Sequence, residues 1–292
     1  MTIKHLVISG GGPTGFITYG ALKQLHKKNK WNLKNIKSIY GCSVGAMIGV
    51  IISLGYDWSW LDDYFTKRPW HKLIDPLSFI DIIQNRGILG ISFFEKAVGP
   101  LLTAKDLTLK STMKDLFKLT NIDTHIFTTN INPKIFEKVD ISHTTHPDMP
   151  IVKAIAMSGS IPIVFQPLCE KKGCYIDGGI LNNYPLQDCI NQQKCNKNEI
   201  LAFKNVWCRK LNKVTSKTGI FDYILILLRR FQFALDSEDK QPTIQNTVRC
   251  LIEDINTFQD WYKPFMEEDL RNILIKKGVN QANLFLSYTG TK

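Results

Sequence analysis

The residues with the clearest chemical potential form the pentapeptide Gly41–Gly45, with Ser43 at its centre. It lies between a short β-like run, Ser38–Tyr40, and an apolar helical run that begins at Val44. A G-x-S-x-G sequence in a strand-to-helix turn is typical of the nucleophile elbow of serine hydrolases, because the tight turn excludes bulky neighbours. The hydroxyl then faces a helix N-terminus, which favours developing negative charge. Ser43 is therefore a candidate nucleophile; the alternative is a chance match in an ordinary turn.

A second glycine-rich turn, Gly10–Gly15, follows a predicted strand and opens a predicted helix. Its G-x-G-x-x-G spacing fits the dinucleotide-binding fingerprint, which also needs an acidic residue about 20 positions later to hold the ribose. No Asp or Glu occurs before Asp57, and the second strand ends in the serine turn. Nucleotide binding is therefore disfavoured.

The same turn suits a different role. A serine hydrolase needs backbone N–H donors for its oxyanion, and glycine lets those donors approach a substrate closely. Gly10, Gly11 and Gly12 are the candidate donors. Adjacent parallel strands would bring this loop and Ser43 to one sheet edge, where ligands bind in open α/β sheets. A helix-start loop that only packs on a neighbour remains the third interpretation.

A serine nucleophile needs a base, and Asp177 is the strongest candidate. It follows the apolar strand-like run Cys174–Ile176 and precedes Gly178 and Gly179. A partly desolvated carboxylate held against the hydroxyl can accept its proton as attack proceeds. Asp-Gly is also a strong hairpin signal, so a turn aspartate is an equally weighted alternative.

Histidine is the other usual base, but none occurs after His146. A Ser–Asp–His arrangement would have to use Asp75 or Asp81 with a histidine of the first half, and these histidines are His125, His143 and His146. An α/β-hydrolase usually places its histidine after the last strands. We therefore favour Asp177, and we interpret His143 and His146 as solvated loop residues.

The 292-residue chain has a net charge of +11, which favours an anionic partner such as a membrane surface or an acidic substrate. Nucleic acid is disfavoured because no recognition motif for it occurs. The seven cysteines lack a C-x-x-C pair and predict reduced thiols in an intracellular protein. Lys4 and His5 interrupt any secretory signal, and the apolar run Tyr223–Leu228 is far shorter than the roughly 18–20 residues of a membrane span. We expect a cytoplasmic or peripheral membrane protein.

The order of the elements predicts an α/β fold with a mainly parallel sheet covered by helices. We divide the chain into a domain over 4–207 and a helical C-terminal extension over 208–292, packed on the same domain. Residues 75–90 are less regular and are interpreted as a lid or loop, and 200–207 as the last core strand. The predicted strands are 4–9, 38–42, 124–131, 135–141, 175–176 and 200–207. The predicted helices are 14–28, 44–54, 57–68, 91–102, 112–119, 151–157, 220–235, 243–258 and 267–277. Residues 158–167 are predicted to form a proline-punctuated loop.

Together these motifs resemble the patatin-like phospholipases. The glycine loop, the serine turn and the aspartate triplet occur in that family's order, and Ala154–Gln166 and Asn182–Pro185 resemble the stretches around the triplet. The resemblance covers about residues 4–190. It rests on three separated motifs, whose residues are Gly10, Gly12, Gly15, Gly41, Ser43, Gly45, Asp177, Gly178 and Gly179.

The resemblance implies a three-layer α/β/α fold and a Ser–Asp dyad without histidine. Ser43 would be the nucleophile, Asp177 the proton acceptor, and the amides of Gly10–Gly12 the oxyanion hole. The implied activity is that of a phospholipase A-type lipid acyl hydrolase, which acts on phospholipids or related acyl lipids. No metal or cofactor is expected, because the nucleophile is a side chain. Thr14 stands where the family usually carries Arg or Lys, which would order the loop or bind an anionic head group.

Two other functions remain open at this stage. One is a short-chain esterase or thioesterase on the same dyad, and the other is a catalytically silent lipid-binding protein. Contact with an anionic membrane is a further expectation, because the apolar run Phe221–Leu228 is followed by Arg229 and Arg230. That segment would form either an interfacial helix or a helix that covers the sheet.

Overall fold

The computed structural model describes residues 2–74, 79–207, 213–235, 242–253, 255 and 257–289. The strands in these ranges are β1 (His5–Ile8), β2 (Ser38–Cys42), β3 (Gly87–Leu89), β4 (Asp123–Asn130), β5 (Glu137–Ile141), β6 (Ile163–Phe165), β7 (Leu168–Glu170), β8 (Gly173–Asp177), β9 (Ile200–Trp207) and β10 (Thr247–Ile252). The helices are α1 (Gly15–Lys27), α2 (Val44–Ser53), α3 (Trp58–Lys67), α4 (Phe79–Asn85), α5 (Ile91–Thr103), α6 (Met113–Thr120), α7 (Ile151–Gly159), α8 (Gly179–Asn182), α9 (Leu186–Gln193), α10 (Ile220–Leu235), α11 (Phe258–Met266) and α12 (Glu268–Thr289).

The central sheet contains eight strands in the described residues, in the order β10-β9-β1-β2-β4-β8-β7, with β5 also paired to β4. Strands β10, β9, β1, β2 and β4 run parallel, whereas the pairs β4–β5, β4–β8 and β7–β8 are antiparallel. Every residue of β1 and β2 is buried, as expected of parallel strands that helices cover on both faces. The predicted mainly parallel sheet is confirmed.

The strand register brings two distant segments to the same level of the sheet. The end of β2 pairs with Phe127 of β4, and Asp177, the last residue of β8, pairs with the next residue of β4, Thr128. Because β8 runs antiparallel to β4, its C-terminal end comes back toward the end of β2. Asp177 and Ser43 therefore lie near each other although 134 positions separate them in the sequence.

The tail of the chain packs against the same core. Helix α12 lies along α1, and Arg271 near its start is buried. The Arg271 guanidinium donates to the carbonyl of Thr66 at the end of α3 (Nε, 2.9 Å) and to that of Pro264 in α11 (Nη1, 3.0 Å). These bonds connect three helices through one cation whose donors are satisfied by backbone oxygens.

The predicted helix over 243–258 is wrong, because Thr247–Ile252 form β10, which extends the central sheet beyond β9. Burial alternates along this strand: Val248, Cys250 and Ile252 are buried, while Arg249 and Leu251 are exposed. This period of two is the strand pattern. Residues 200–207 are consequently not the last strand of the sheet. The division of the chain at residue 207 remains a prediction, since strands from both sides of it share this sheet.

Two other predicted segments differ from the structure. Residues 75–78 of the predicted lid or loop lie outside the described residues, and the rest of 75–90 includes α4 and β3. The predicted loop over 158–167 includes the last turn of α7 and the short strand β6, which pairs with β3 in a separate two-stranded sheet. The short elements α8, α9 and β7 were not predicted.

The prediction of seven reduced thiols is wrong for one pair, because Cys169 and Cys174 form a disulfide. The two residues face each other across the antiparallel strands β7 and β8. Strand β7 was not predicted from the sequence, so no local pattern indicated that these two cysteines pair. The free cysteines in the described residues are Cys42, Cys189, Cys195 and Cys250, and Cys208 lies outside those residues.

Candidate active site

Ser43 occupies the turn between β2 and α2 in a conformation that few non-glycine residues adopt. Its backbone angles are φ 54° and ψ −128°, a strained combination of the kind that clusters at functional sites. A side chain on Gly45 would clash with the carbonyl oxygen of Ile8 on β1, and a Cβ atom on Gly41 would lie 2.6 Å from Ala46 Cα. These close approaches allow α2 to begin directly against the sheet, with Ser43 ahead of its first turn.

A buried hydrogen-bond chain fixes the backbone of Ser43. Its N–H donates to Ser158 Oγ at 2.7 Å, and the Ser158 hydroxyl donates to the carbonyl of Phe127 at 2.5 Å. Ser158 lies near the end of α7 and is fully buried, so water does not compete for these bonds. Ser158 was not predicted as a site residue, because a serine within an apolar helix has no distinctive local pattern. Its only signal was its position within the stretch that resembles the family.

Asp177 is 4% exposed. Its Oδ1 accepts a hydrogen bond from the Gly179 N–H at 2.7 Å, whereas its Oδ2 is buried and has no hydrogen-bond partner within the described residues. Burial raises the pKa of the Asp177 carboxyl to about 6, against the opposing effects of the Ser43 side chain and the Gly179 N–H. Ser43 is thus close enough to influence the carboxyl without making a hydrogen bond of normal geometry to Oδ2. The site holds a desolvated carboxylate with one free oxygen beside a hydroxyl.

The glycine loop lies beside this pair. A Cβ atom on Gly10 would come within 2.9 Å of Ser43 Cβ. Gly12 has a φ of +59°, and any side chain there would clash with the indole of Trp261. Both the backbone conformation and the space therefore require glycine at position 12. Trp261 belongs to α11, so the tail of the chain contacts this loop directly.

The loop offers fewer hydrogen-bond donors than its sequence predicted. The Gly10 N–H donates to the carbonyl of Asn183 at 3.2 Å, so it is already engaged, and its role as an oxyanion-hole donor stays a prediction. In the described part of the chain, the N–H groups of Gly11 and Gly12 have no protein acceptor. The N–H of Val44, at the start of α2, is also unpaired there, as helix geometry requires of a first residue. These three groups are the available donors near Ser43.

Thr14 and Asn205 hold the glycine loop from its buried side. Asn205 Nδ2 on β9 donates to the carbonyl of Gly10 and to Thr14 Oγ1, both at 2.9 Å. Thr14 Oγ1 donates in turn to the carbonyl of Gly11 at 3.1 Å. Because Thr14 is fully buried, its side chain orders the loop and does not enter the cavity. Asn205 was not predicted as a site residue, since an asparagine in a strand carries no motif.

An apolar cavity opens at Ser43, between α2, α5 and α11. Its empty space, including the part that opens to solvent, is about 600 Å³. Its walls are almost entirely apolar, and its aromatic side chains include Phe16, Phe65, Trp70, Phe94, Phe165 and Trp261. A cavity of this kind accommodates a hydrocarbon chain and excludes water from one side of Ser43.

A second cavity also borders Ser43, and it is more polar. Asp177 and Gly11 line it, together with side chains from the tail of the chain. Helix α10 contributes Arg229 and Gln232, and Gln232 Nε2 donates to the carbonyl of Gly179 at 3.0 Å. This helix therefore covers the site beside Asp177. None of the helices in the described ranges combines the length and apolar character of a membrane span.

The candidate histidines lie away from both cavities. His125 lies between two carboxylates, with its Nε2 at 3.0 Å from Asp123 and its Nδ1 at 2.9 Å from Asp140. Burial lowers the pKa of His125, but the bonds to the two carboxylates outweigh it and raise the pKa to about 9. A ring that stays protonated at neutral pH is not a general base. Asp75 and the side chain of Asp81 lie outside what the structure describes. Neither of the two cavities described above is lined by His125, His143 or His146.

The amino-acid sequence is similar to viral proteins. It is 32% identical over 193 residues to an uncharacterized protein of Acanthamoeba polyphaga mimivirus, which covers 63% of this chain and 60% of that protein. It is 29% identical over 191 residues to a probable lipid hydrolase of Invertebrate iridescent virus 6, with coverage of 64% and 63%. The chain thus matches less than two thirds of the length of these relatives.

Solved structures share the fold over almost the whole chain. VipD of Legionella pneumophila superposes with a TM-score of 0.58 at 19% identity, covering 99% of this chain and 67% of that one. The type III effector protein ExoU of Pseudomonas aeruginosa superposes with a TM-score of 0.52 at 17% identity, covering 100% and 54%. At such identities the likeness concerns the fold alone. It confirms the predicted three-layer α/β/α arrangement.

The family comparison covers the part of the chain that holds the proposed chemistry. The sequence profile of the family described as patatin-like phospholipase matches residues 6–190. That range contains the glycine loop, Ser43, Ser158 and Asp177, whereas Asn205 and α10 follow it. More than half of the chain is matched. The chain belongs to the patatin-like phospholipase family.

Proposed function

We propose that this protein is a lipid acyl hydrolase of phospholipase A type, which cleaves ester bonds of phospholipids or related acyl lipids through a serine acyl-enzyme. One observation carries the proposal: a buried carboxyl, Asp177, with a pKa of about 6 and an unpaired Oδ2, lies beside a strained Ser43 at an apolar cavity. Membership of the patatin-like phospholipase family and the relative named as a probable lipid hydrolase support the same activity.

In the proposed first step, Ser43 Oγ attacks the ester carbonyl carbon and its proton passes to Asp177 Oδ2. Oδ2 is the acceptor because Oδ1 is already bonded to the Gly179 N–H. The tetrahedral oxyanion is stabilised by N–H groups among those of Gly11, Gly12 and Val44, and losing one such donor typically costs about 10²–10³ in kcat. The bond between the acyl carbon and the leaving alcohol then breaks, and Asp177 gives the proton to the oxygen of that alcohol.

In the proposed second step, a water molecule hydrolyses the acyl-enzyme. Asp177 accepts a proton from the water while the water oxygen attacks the acyl carbon, and the bond between the acyl carbon and Ser43 Oγ breaks. The proton then returns to Ser43, and the fatty acid leaves. The chemistry uses a side-chain nucleophile and a side-chain base, so it calls for no metal or other cofactor.

The acyl chain of the substrate is proposed to occupy the apolar cavity. Aromatic walls bury hydrocarbon favourably, at about 25 cal/mol per Å² of apolar surface. A cavity with this lining has no comparable affinity for a short, polar ester. The proposal therefore ranks long-chain acyl lipids above short soluble esters as substrates.

We further propose that the outer face of α10 contacts an anionic membrane surface. Ile220, Tyr223, Phe231 and Phe233 are exposed large hydrophobic residues of this helix. The net charge of +11 favours approach to anionic lipid, and exposed apolar side chains of a helix insert into the headgroup region. Because α10 also covers the second cavity, such contact would bring the site next to its substrate.

The proposed activity is tested by incubating the protein with a panel of phospholipids and neutral acyl lipids and measuring the released fatty acids by mass spectrometry. Ser43→Ala and Asp177→Asn should each lower kcat by about 10⁴-fold or more. Ser53→Ala is the matched control, because Ser53 is a buried serine at the far end of the same helix, where it bonds only the Val50 carbonyl. Circular dichroism confirms that each variant is folded.

Three results would count against the proposal. Fatty-acid release that survives Ser43→Ala would exclude the proposed nucleophile. A rate that peaks at two- to four-carbon soluble esters would favour a short-chain esterase. Lipid binding without hydrolysis, together with no fluorophosphonate labelling of Ser43, would favour a silent lipid-binding protein.

A further inference from the structure

Arg229 is a cation within the cavity that contains the proposed nucleophile and base. It lies on α10, and its side chain lines the second cavity together with Ser43 and Asp177. Its neighbours on the same helix face, Leu225 and Leu228, line that cavity too. The proposed acyl site is the other, apolar cavity. Arg229 is therefore on the side available to the leaving part of the substrate.

The guanidinium of Arg229 has no ion-pair partner among the residues that the structure describes. It lies over the Trp207 ring, 3.9 Å from the centroid, a cation–π contact that favours this position. The described residues contain no ion pair or hydrogen bond of Arg229. Burial lowers the pKa of Arg229 to about 10, with a smaller opposing effect of Asp260, so the group stays charged at neutral pH. A partly buried, uncompensated cation is costly without a partner.

The position of Arg229 relative to the base is also fixed. Gln232, one helical turn further along α10, donates to the carbonyl oxygen of Gly179, and the N–H of Gly179 donates to Asp177 Oδ1. The pKa of Asp177 is set by burial, Ser43 and Gly179, and the charge of Arg229 is not among its causes. The cation is thus held in the same cavity as the base without forming an ion pair that would neutralise it.

The described residues of the rest of the site supply no second basic side chain. The glycine loop Gly10–Thr14 contains no basic residue, and Thr14 is buried against Asn205. The side chains that line the second cavity include no other Lys, Arg or His within the described residues. Any anionic group of a substrate that enters this cavity would therefore meet Arg229.

We propose that Arg229 binds the head-group phosphate of a glycerophospholipid whose acyl ester lies at Ser43. This inference rests on the proposed function and names the substrate class within it. The guanidinium presents paired N–H donors that match two phosphate oxygens, and the Trp207 ring holds it ready for that contact. A neutral acyl lipid has no phosphate for Arg229 to bind and gains no affinity from it, so Arg229 is a specificity-determining residue.

The test compares two substrates with the same acyl chains, dihexanoylphosphatidylcholine and dihexanoylglycerol, both below their aggregation concentrations so that membrane binding plays no part. Arg229→Gln should lower the ratio of kcat/KM for the phospholipid to kcat/KM for the neutral lipid by about 10- to 100-fold. Arg229→Lys keeps the charge but not the paired donors and should lower it less. Arg230→Gln is the matched control, because it removes the same charge from the exposed next residue and should leave the ratio unchanged.

A binding arm separates failure of this inference from failure of the proposed function. Dihexyl ether analogues of both lipids cannot be hydrolysed, and their affinity is measured by titration calorimetry. Arg229→Gln should weaken binding of the ether phospholipid by about 10- to 100-fold relative to the ether glycerol. If no variant hydrolyses lipid but this selective loss occurs, the proposed function fails and Arg229 still binds phosphate.

The opposite results overturn the inference while leaving hydrolysis intact. An equal loss on both lipids, with a lowered melting temperature, would make Arg229 a structural residue of α10. An unchanged ratio in Arg229→Gln would exclude contact with the phosphate. If inorganic phosphate alone displaces the ether phospholipid at a matching concentration, the site binds free phosphate and not a lipid head group.

Discussion

The backbone N–H of Ser43 donates to the hydroxyl of Ser158 at 2.7 Å. Through this bond the end of α7 holds the strained turn that carries the proposed nucleophile. The same stretch of chain positions the proposed base, because the N–H of Asp177 donates to the carbonyl of Ser160 at 2.9 Å. One short segment, residues 158–160, thus fixes both partners of the dyad relative to each other.

Ser158→Ala should impair catalysis without removing a catalytic group. The change leaves the Ser43 N–H and the Phe127 carbonyl without this partner in a dry site, which costs about 1–3 kcal/mol of unfolding free energy. Small displacements of a nucleophile lower rates by about 10- to 100-fold. We expect kcat to fall in that range with KM little changed. Ser160→Ala is the control, because the Ser160 hydroxyl donates to the carbonyls of Ala156 and Gln166, and the backbone carbonyl that accepts from Asp177 is kept. Equal kcat losses in both variants would contradict a specific positioning role.

Asp177→Asn should stabilise the fold while abolishing activity. The pKa of Asp177 is about 6 in the folded protein against an ordinary 3.8, which corresponds to about 3 kcal/mol of unfolding free energy lost at neutral pH. Asparagine keeps an acceptor for the Gly179 N–H and carries no charge. Urea unfolding at pH 7 should therefore show a more stable variant, by up to this amount.

The raised pKa of Asp177 makes the free energy of unfolding depend on pH. Folded Asp177 binds more protons than unfolded Asp177 between pH 3.8 and about 6, so its contribution to the free energy of unfolding falls as pH rises through that window. In Asp177→Asn this fall in the free energy of unfolding should be absent. Asp140→Asn is the control and should destabilise the fold, because Asp140 accepts from His125 and Gln192. A less stable Asp177→Asn variant would contradict the assigned burial cost.

Activity should require Asp177 in its charged form. With a pKa of about 6, the plot of log kcat/KM against pH for a soluble, non-titrating ester should rise with unit slope below about pH 6 and level off above it. An ordinary aspartate would place this bend near pH 3.9. A bend near pH 4, or a profile governed by a group with a pKa near 9, would argue against Asp177 as the base.

Thr14→Val should weaken the glycine loop while keeping the shape of the buried side chain. The change removes the hydroxyl that accepts from Asn205 Nδ2 and donates to the carbonyl of Gly11, at a cost of about 1–2 kcal/mol. Because the loop carries two of the proposed oxyanion donors, kcat should fall by about 10-fold or more. Thr14→Ser retains the hydroxyl and should keep most of the rate. If both variants have the wild-type kcat, the Thr14–Asn205 contact does not order the donors.

Membrane binding should depend on the outer face of α10. Replacing Ile220 and Phe231, which are 55% and 52% exposed, by serine should lower partitioning onto vesicles of anionic phosphatidylglycerol by about 10-fold or more. The matched control is Ile135→Ser with Phe136→Ser, a pair that is 81% and 52% exposed in the turn between β4 and β5. Co-sedimentation with the vesicles at low and high salt measures the binding of both double variants. Equal losses in the two double variants, or binding indifferent to salt and lipid charge, would contradict this surface.

Local sequence was enough to predict the parts of the site that depend on a few neighbouring residues. The turn at Ser43, the glycine loop and the strand end at Asp177 each occupy three to six consecutive positions, and their glycine content restricts the backbone there. The strands β1, β2, β4 and β9 were predictable for the same reason, since apolar runs between turn signals are a local pattern. The helix predicted at 243–258 failed because the burial of β10 comes from pairing with β9, a contact across about 45 positions.

By itself the sequence determined which groups are available for chemistry: a serine between glycines, an aspartate before glycines, and no histidine in the second half of the chain. Only the tertiary structure decided their state. The antiparallel direction of β8 brings Asp177 to Ser43, burial raises its pKa, and Asn183 takes up the Gly10 N–H. The tail brings Trp261, Arg229 and Gln232 to the cavities. Burial, pairing and charge in this site arise from residues far apart in sequence, so no local pattern contains them.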